Sequence, residues 1–162
     1  VTMFSPLQMA ADLPENYEAR PDAFQFIKDV AVDWDDSKIL EAEPGDYVVI
    51  SRKAKGSDNW FLGAITDEQE RTISIKPGGF LDNSKSYVLT IYRDGPNAHW
   101  QNNPEDYVIE KKVILPGTAQ PFDIKLAAGG GCAISCAAVS REDASRLLKS
   151  IKDLFKKKPT KN

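Results

Sequence analysis

The chain is poor in the side chains that usually carry catalysis. It has one histidine, two cysteines and no apolar run near the ~20 residues that a membrane-crossing helix needs. Two cysteines in 162 residues exclude a disulfide-stapled miniature, and a net charge of −3 gives no bulk attraction for nucleic acid. No charged, apolar and small-residue leader opens the chain. It begins VTMFSP, β-prone residues without an initiator methionine, so we expect a fragment or processed chain, with any secretory leader of the parent lying further upstream. What is present suits one compact domain with appendages: 41% of residues are hydrophobic, ample for one core. The charge is uneven. Residues 141–162 hold eight Lys or Arg against three Asp or Glu, net +5, which leaves −8 for residues 1–140.

Period-two alternation dominates the middle of the chain. DYVVISRKAKGSDNWFLGAIT, residues 46–66, reads as a long β-hairpin: Tyr47, Val49 and Ser51 share one face, Trp60, Leu62 and Ala64 another, and KGSDN turns between them. Further strands are expected at 37–42, 71–75, 86–93, 107–115, 120–126 and 132–139, with 94–106 as a loop rich in Gly, Pro, Asn and Asp. In the strand at 86–93 apolar residues on both faces imply a central position or a covered face. Ahead of the strands, Val1–Phe4 is a short β-prone run, LQMAADL after Pro6 is a helical candidate stopped by Pro14, and a second helix opens at Pro21. Behind them, Ser140 caps an amphipathic helix with Asp143 reaching back, and Leu147, Leu148, Ile151, Leu154 and Phe155 form its apolar stripe. The expected fold is therefore mainly β. It is an antiparallel β-sandwich of about eight strands over residues 33–139, preceded by a strand-helix segment at 1–32 and followed by a basic helix and frayed tail at 140–162.

Several constellations invite chemistry. Asp33, Asp35, Asp36, Glu41, Glu43, Asp46, Glu105 and Asp106 include pairs of the kind glycosidases use, but they fall in turns and on strand edges, where carboxylates are ordinarily solvated. The 33–36 cluster lacks the alternating oxygen ligands, glycine and distal glutamate of a calcium loop. His99 has no GxSxG-type partner and no companion ligands for zinc, so a surface loop residue is preferred. Cys132 and Cys136, four apart on an extended strand, sit roughly 13 Å from each other and point to one face as small core residues. The glycines at 129–131 signal either a tight turn or a close backbone approach, and neither they nor DGPN forms a phosphate cradle. Trp34, Trp60 and Trp100, with Tyr92 and Tyr107, would stack on sugar rings if exposed together. Packing is preferred for Trp60, and Trp100 stays open. No catalytic, cofactor or metal residue is assigned from this reading.

Four words together are distinctive: MFSPLQMAADLPENYE, FQFIKDVAVDWDDSKILEAEPGDYVVISRKAKGSDNWFLGAITDE, YRDGPNA and LAAGGG, spread over roughly residues 1–131. In these the chain resembles the C-terminal region of a glycoside hydrolase family 97 enzyme. The resemblance implies a parent with an N-terminal β-sandwich, a (β/α)8 catalytic barrel and a C-terminal β-sandwich associated with oligomerisation. It implies calcium-dependent α-glucosidase or α-galactosidase chemistry and a periplasmic or secreted location. Val1–Phe4 would be the last barrel strand, the helical pieces its closing helix and connector, and Ser5–Gln8 a segment bordering the active site. The family's catalytic carboxylates and calcium ligands lie upstream, so none is carried to this chain. Expected partners are the upstream barrel, a second copy and a weak carbohydrate contact, with no nucleic acid or membrane span; the alternative function is a carbohydrate-binding β-sandwich module. The chain departs from the family pattern after Ser135 by adding the basic helix, which could itself serve as an interaction module.

Overall fold

The computed structural model describes residues 1–3, 5, 7, 9 and 11–156. Eight strands form two antiparallel sheets. They are β1 Trp34–Glu43, β2 Tyr47–Ala54, β3 Trp60–Thr66, β4 Arg71–Ile75, β5 Ser86–Asp94, β6 Tyr107–Ile114, β7 Phe122–Leu126 and β8 Gly131–Val139. The larger sheet runs in the order β1-β2-β3-β8-β5-β6, and β4 pairs with β7 in the smaller.

The core lies between the two sheets, and alternation places it there. Val49, Leu62, Ala64, Leu89, Ile91, Ile134 and Cys136 face inward from the large sheet and meet Ile73, Ile75, Ile124 and Leu126 from the small one. The hairpin at 46–66 forms as its pattern requires: Val49 pairs with Ala64 and Ser51 with Leu62, and Gly56 takes a positive φ of 65° in the turn. Trp60 is buried and meets the Phe80 ring edge-on at 5.6 Å, so it is a packing residue. Cys132 and Cys136 are free thiols on the same buried face of β8. Burial pushes the Cys132 thiol up to about 12 and raises Cys136 further.

The outer face of the large sheet is covered in part by α2, Pro21–Asp29. Phe26 on α2 meets Phe61 of β3 at 6.2 Å and Tyr92 of β5 at 5.4 Å, both edge-on, and Trp34 adds a further edge contact to Phe61 at 5.8 Å. This explains why β5 is apolar on both faces. Residues 1–2 also lie on this face: a Cβ at Gly63 would stand 3.0 Å from the Thr2 methyl, and Arg52 Nε donates to the Val1 carbonyl at 2.7 Å. The last helix, α3 Arg141–Lys156, packs against β5 and β6 and buries Ala144. Its cap forms on Ser140, whose Oγ accepts from the Asp143 amide at 3.1 Å and donates to the Asp143 carboxylate at 2.7 Å.

Three expectations are corrected. Pro14 opens a helix, α1 Pro14–Glu18, where the sequence reading has it stop one; proline at the first helical position loses no hydrogen bond there. The described residues between 5 and 13 are not helical, and Pro6, Gln8 and Ala10 fall outside the described residues. Val1–Met3 form no strand, since no ladder lies beside them, and Phe4 is outside the described residues. The first strand begins at Trp34 and ends at Glu43, longer at both ends than 37–42, because two register shifts carry pairing to β2 past Asp35 and Leu40.

Candidate functional site

Apart from Glu41 and Glu43 on β1, the acidic residues singled out by sequence are dispersed and engaged locally. Asp33 pairs with Lys55 at 2.8 Å, which holds its carboxyl below the usual range, and Asp35 accepts from the Gly56 amide at 2.8 Å. Asp36 accepts from Ser37 N at 2.8 Å, and Asp46 lies 3.8 Å from Arg71. Glu105 bonds to Arg20, and Asp106 accepts from Asn97 N at 2.8 Å. Among the described residues no three His, Cys, Asp or Glu side chains converge as a metal group would require. The carboxylates of the 33–36 cluster thus serve as turn and hairpin fasteners.

A carboxylate that the sequence reading passed over organises the loop end of the sandwich. Asp94, the last residue of β5, turns one oxygen inward to accept from Ala127 N at 2.8 Å and Gly131 N at 2.9 Å. Burial raises its pKa, and these two amides oppose the rise. The triple glycine makes this possible. A side chain at Gly130 would collide with the Asp94 carboxylate, and one at Gly131 with the Ala64 carbonyl; Gly129 has φ 65° and lies under Trp100, with its N–H donating to Asp67 O at 2.6 Å. The glycines are both turn and close approach. YRDGPNA and LAAGGG are therefore two halves of one knot, and the co-occurrence of an aspartate at a strand end with a glycine run was the available signal.

The aromatic candidates separate. Trp100 is 56% exposed and lies nearly parallel to the His99 ring at 6.0 Å. His99 is half-buried, bridged to Asn103. Tyr92, Tyr107 and Trp34 are half-buried, and the Tyr107 hydroxyl donates to Asp22 at 3.0 Å. No second exposed tryptophan or tyrosine joins Trp100 among the described residues.

Among the described residues, the largest concentration of unburied apolar side chains lies in the first 32 residues. Met3, Leu7, Met9, Leu13, Ile27 and Val32 are all at least half exposed. Met3, Met9, Ile27 and Val32 line a cavity of about 460 Å³ floored by Phe26 and Trp34, beside a groove of about 440 Å³ between α2 and the sheet. Lone exposed apolar residues are ordinary, but a cluster around a concavity marks a contact surface.

Residues 33–137 match the family model described as "Glycosyl-hydrolase 97 C-terminal, oligomerisation". The chain belongs to glycoside hydrolase family 97. A family 97 enzyme from Pseudoalteromonas sp. strain K8, solved in complex with acarbose, is 48% identical and superposes with a TM-score of 0.82 over 86% of this chain and 22% of its own. The retaining alpha-galactosidase of Bacteroides thetaiotaomicron is 37% identical over 83% of this chain and 19% of its own length. The probable retaining alpha-galactosidase of Streptomyces bingchenggensis is 28% identical over 82% and 19%. The chain thus spans about a fifth of the length of these family 97 relatives. A beta-arabinopyranosidase at 19% identity and TM-score 0.61 shares the fold.

Proposed function

We propose that this family 97 domain is a non-catalytic accessory module of a longer α-glycosidase. It docks by the apolar face of residues 1–32 against the catalytic barrel and supports self-association of the enzyme. The observation that carries the reading is the exposed cluster of Met3, Met9, Ile27 and Val32 around the Phe26–Trp34 cavity, in a chain about a fifth as long as its relatives. Such a surface is costly to leave in water and is suited to a large constant neighbour. The named relatives support α-galactoside or α-glucoside chemistry in the parent, with its carboxylates, and the calcium expected for the family, held by segments outside this chain. A periplasmic or secreted setting belongs to the same proposal. In support of this reading, Asp33, Asp35, Asp36, Asp46, Glu105 and Asp106 are engaged by backbone amides or by lysine or arginine partners.

An assay of the 162-residue chain on aryl α-glucosides and α-galactosides, with and without calcium, is expected to show no turnover above buffer. Calcium-dependent hydrolysis by this chain would overturn the proposal.

A further inference from the structure

The two ends of the large sheet carry opposite charge and do not meet within one copy. The edge strand β1 and its flanks, residues 33–46, hold six acidic side chains against Lys38; Asp33 and Asp46 lie against Lys55 and Arg71, which leaves Asp35, Asp36, Glu41 and Glu43 without a salt bridge among the described residues. Residues 141–162 carry net +5, and α3 packs on β5 and β6, four strand spacings or more from β1, roughly 20 Å away. At the acidic edge Ile39 is 70% exposed, and Ala42 and Glu43 are also exposed. Edge strands ordinarily invite a further strand, but the shifts at Trp34/Asp36 and Ile39/Glu41 break the regular ladder that strand addition needs. This edge therefore offers side chains to a partner, not a template of backbone groups.

Resting on the reading that the domain self-associates, we propose that α3 of one copy docks on the β1 edge of a second copy. Lys149 and Lys152 face Glu41 and Glu43, and the aliphatic stems of the lysines cover Ile39. The occupant is argued from charge. The region that lacks a cationic partner and the region that supplies one are opposite in sign and belong to the same chain. Lys149 and Lys152 are exposed and enter no ion pair described within the chain, whereas Arg146 is held by Glu142 and Asp143 on its own helix. A two-fold arrangement makes the contact twice and closes the assembly. Because α3 lies beyond the residues matched by the family model, this contact would be an addition to whatever interface the family domain forms.

Sedimentation velocity on the whole chain tests the pairing. At about 0.05 M salt an assembly is expected that weakens at about 0.5 M, where screening is tighter. The double variants Lys149→Glu/Lys152→Glu and Glu41→Lys/Glu43→Lys should each weaken it about tenfold or more, and the fourfold combination should recover the assembly. Circular dichroism checks that each variant is folded; if one is not, the salt series and deletion of 141–162 decide, and a mass indifferent to both overturns the pairing. An assembly that persists unchanged in both double variants overturns the α3–β1 contact and leaves self-association through another surface. A chain that is monomeric under every condition overturns the contact and the self-association together.

Discussion

Asp94 holds its position through a balance of opposed effects: burial disfavours its charge, while two backbone amides favour it. Burial wins. The folded-state pKa is raised above the unfolded value, so the folded state binds this proton more readily, and the associated stability is present below the ordinary carboxylate range and lost as pH rises through the folded value. Asp94→Asn removes this titration while keeping an acceptor oxygen. Urea unfolding of the two proteins across the acid range should show the wild type losing stability relative to Asp94→Asn as pH rises. Asp94→Ala leaves the Ala127 and Gly131 amides without their acceptor, an expected loss of about 2–4 kcal/mol in the same measurement at neutral pH. The sequence held the two parts, an aspartate at a strand end and a glycine run, but not their pairing. DGPN read correctly as a loop and the glycines as a turn or close approach, but the bond joins residues 33 and 37 positions apart, and no local period records such a pairing.

Among the elements, α2 depends most on what it covers. It is nine residues long, too short to persist alone, and is fixed by the Phe26 ring set between Phe61 and Tyr92. Phe26→Ala should cost about 1–3 kcal/mol in thermal or chemical unfolding and should weaken the near-ultraviolet circular dichroism of the aromatic cluster. An unchanged midpoint would show that the helix is held by other contacts. Strand positions were readable because hairpin alternation is strictly local; Val49, Leu62 and Leu89 all fall on the face their spacing assigns. Element ends were less so. Pro14 is equally compatible with a stop and a start, and the span of β1 depends on bulges set by the partner strand.

At the level of the whole molecule, the sandwich was legible but the strand order was not. Alternation says which face of each strand is buried and nothing about its neighbours. The order matters because β8 sits in the middle of the large sheet, paired with β3 on one side and β5 on the other. A chain ending at Gly130 should therefore give no cooperative urea transition, whereas one ending at Ser140, with β8 intact, should keep it. Retention of a sharp transition by the shorter chain would mean that the halves are stable apart.

The place of β8 also bears on how the domain is made. During synthesis β1–β2–β3 and β5–β6 emerge as separate ribbons, each with an apolar flank, and the strand that joins them is the last of these eight to leave the ribosome. A pause in translation short of Gly131 would leave two adhesive halves in one nascent chain. That interval is when this domain needs a chaperone most.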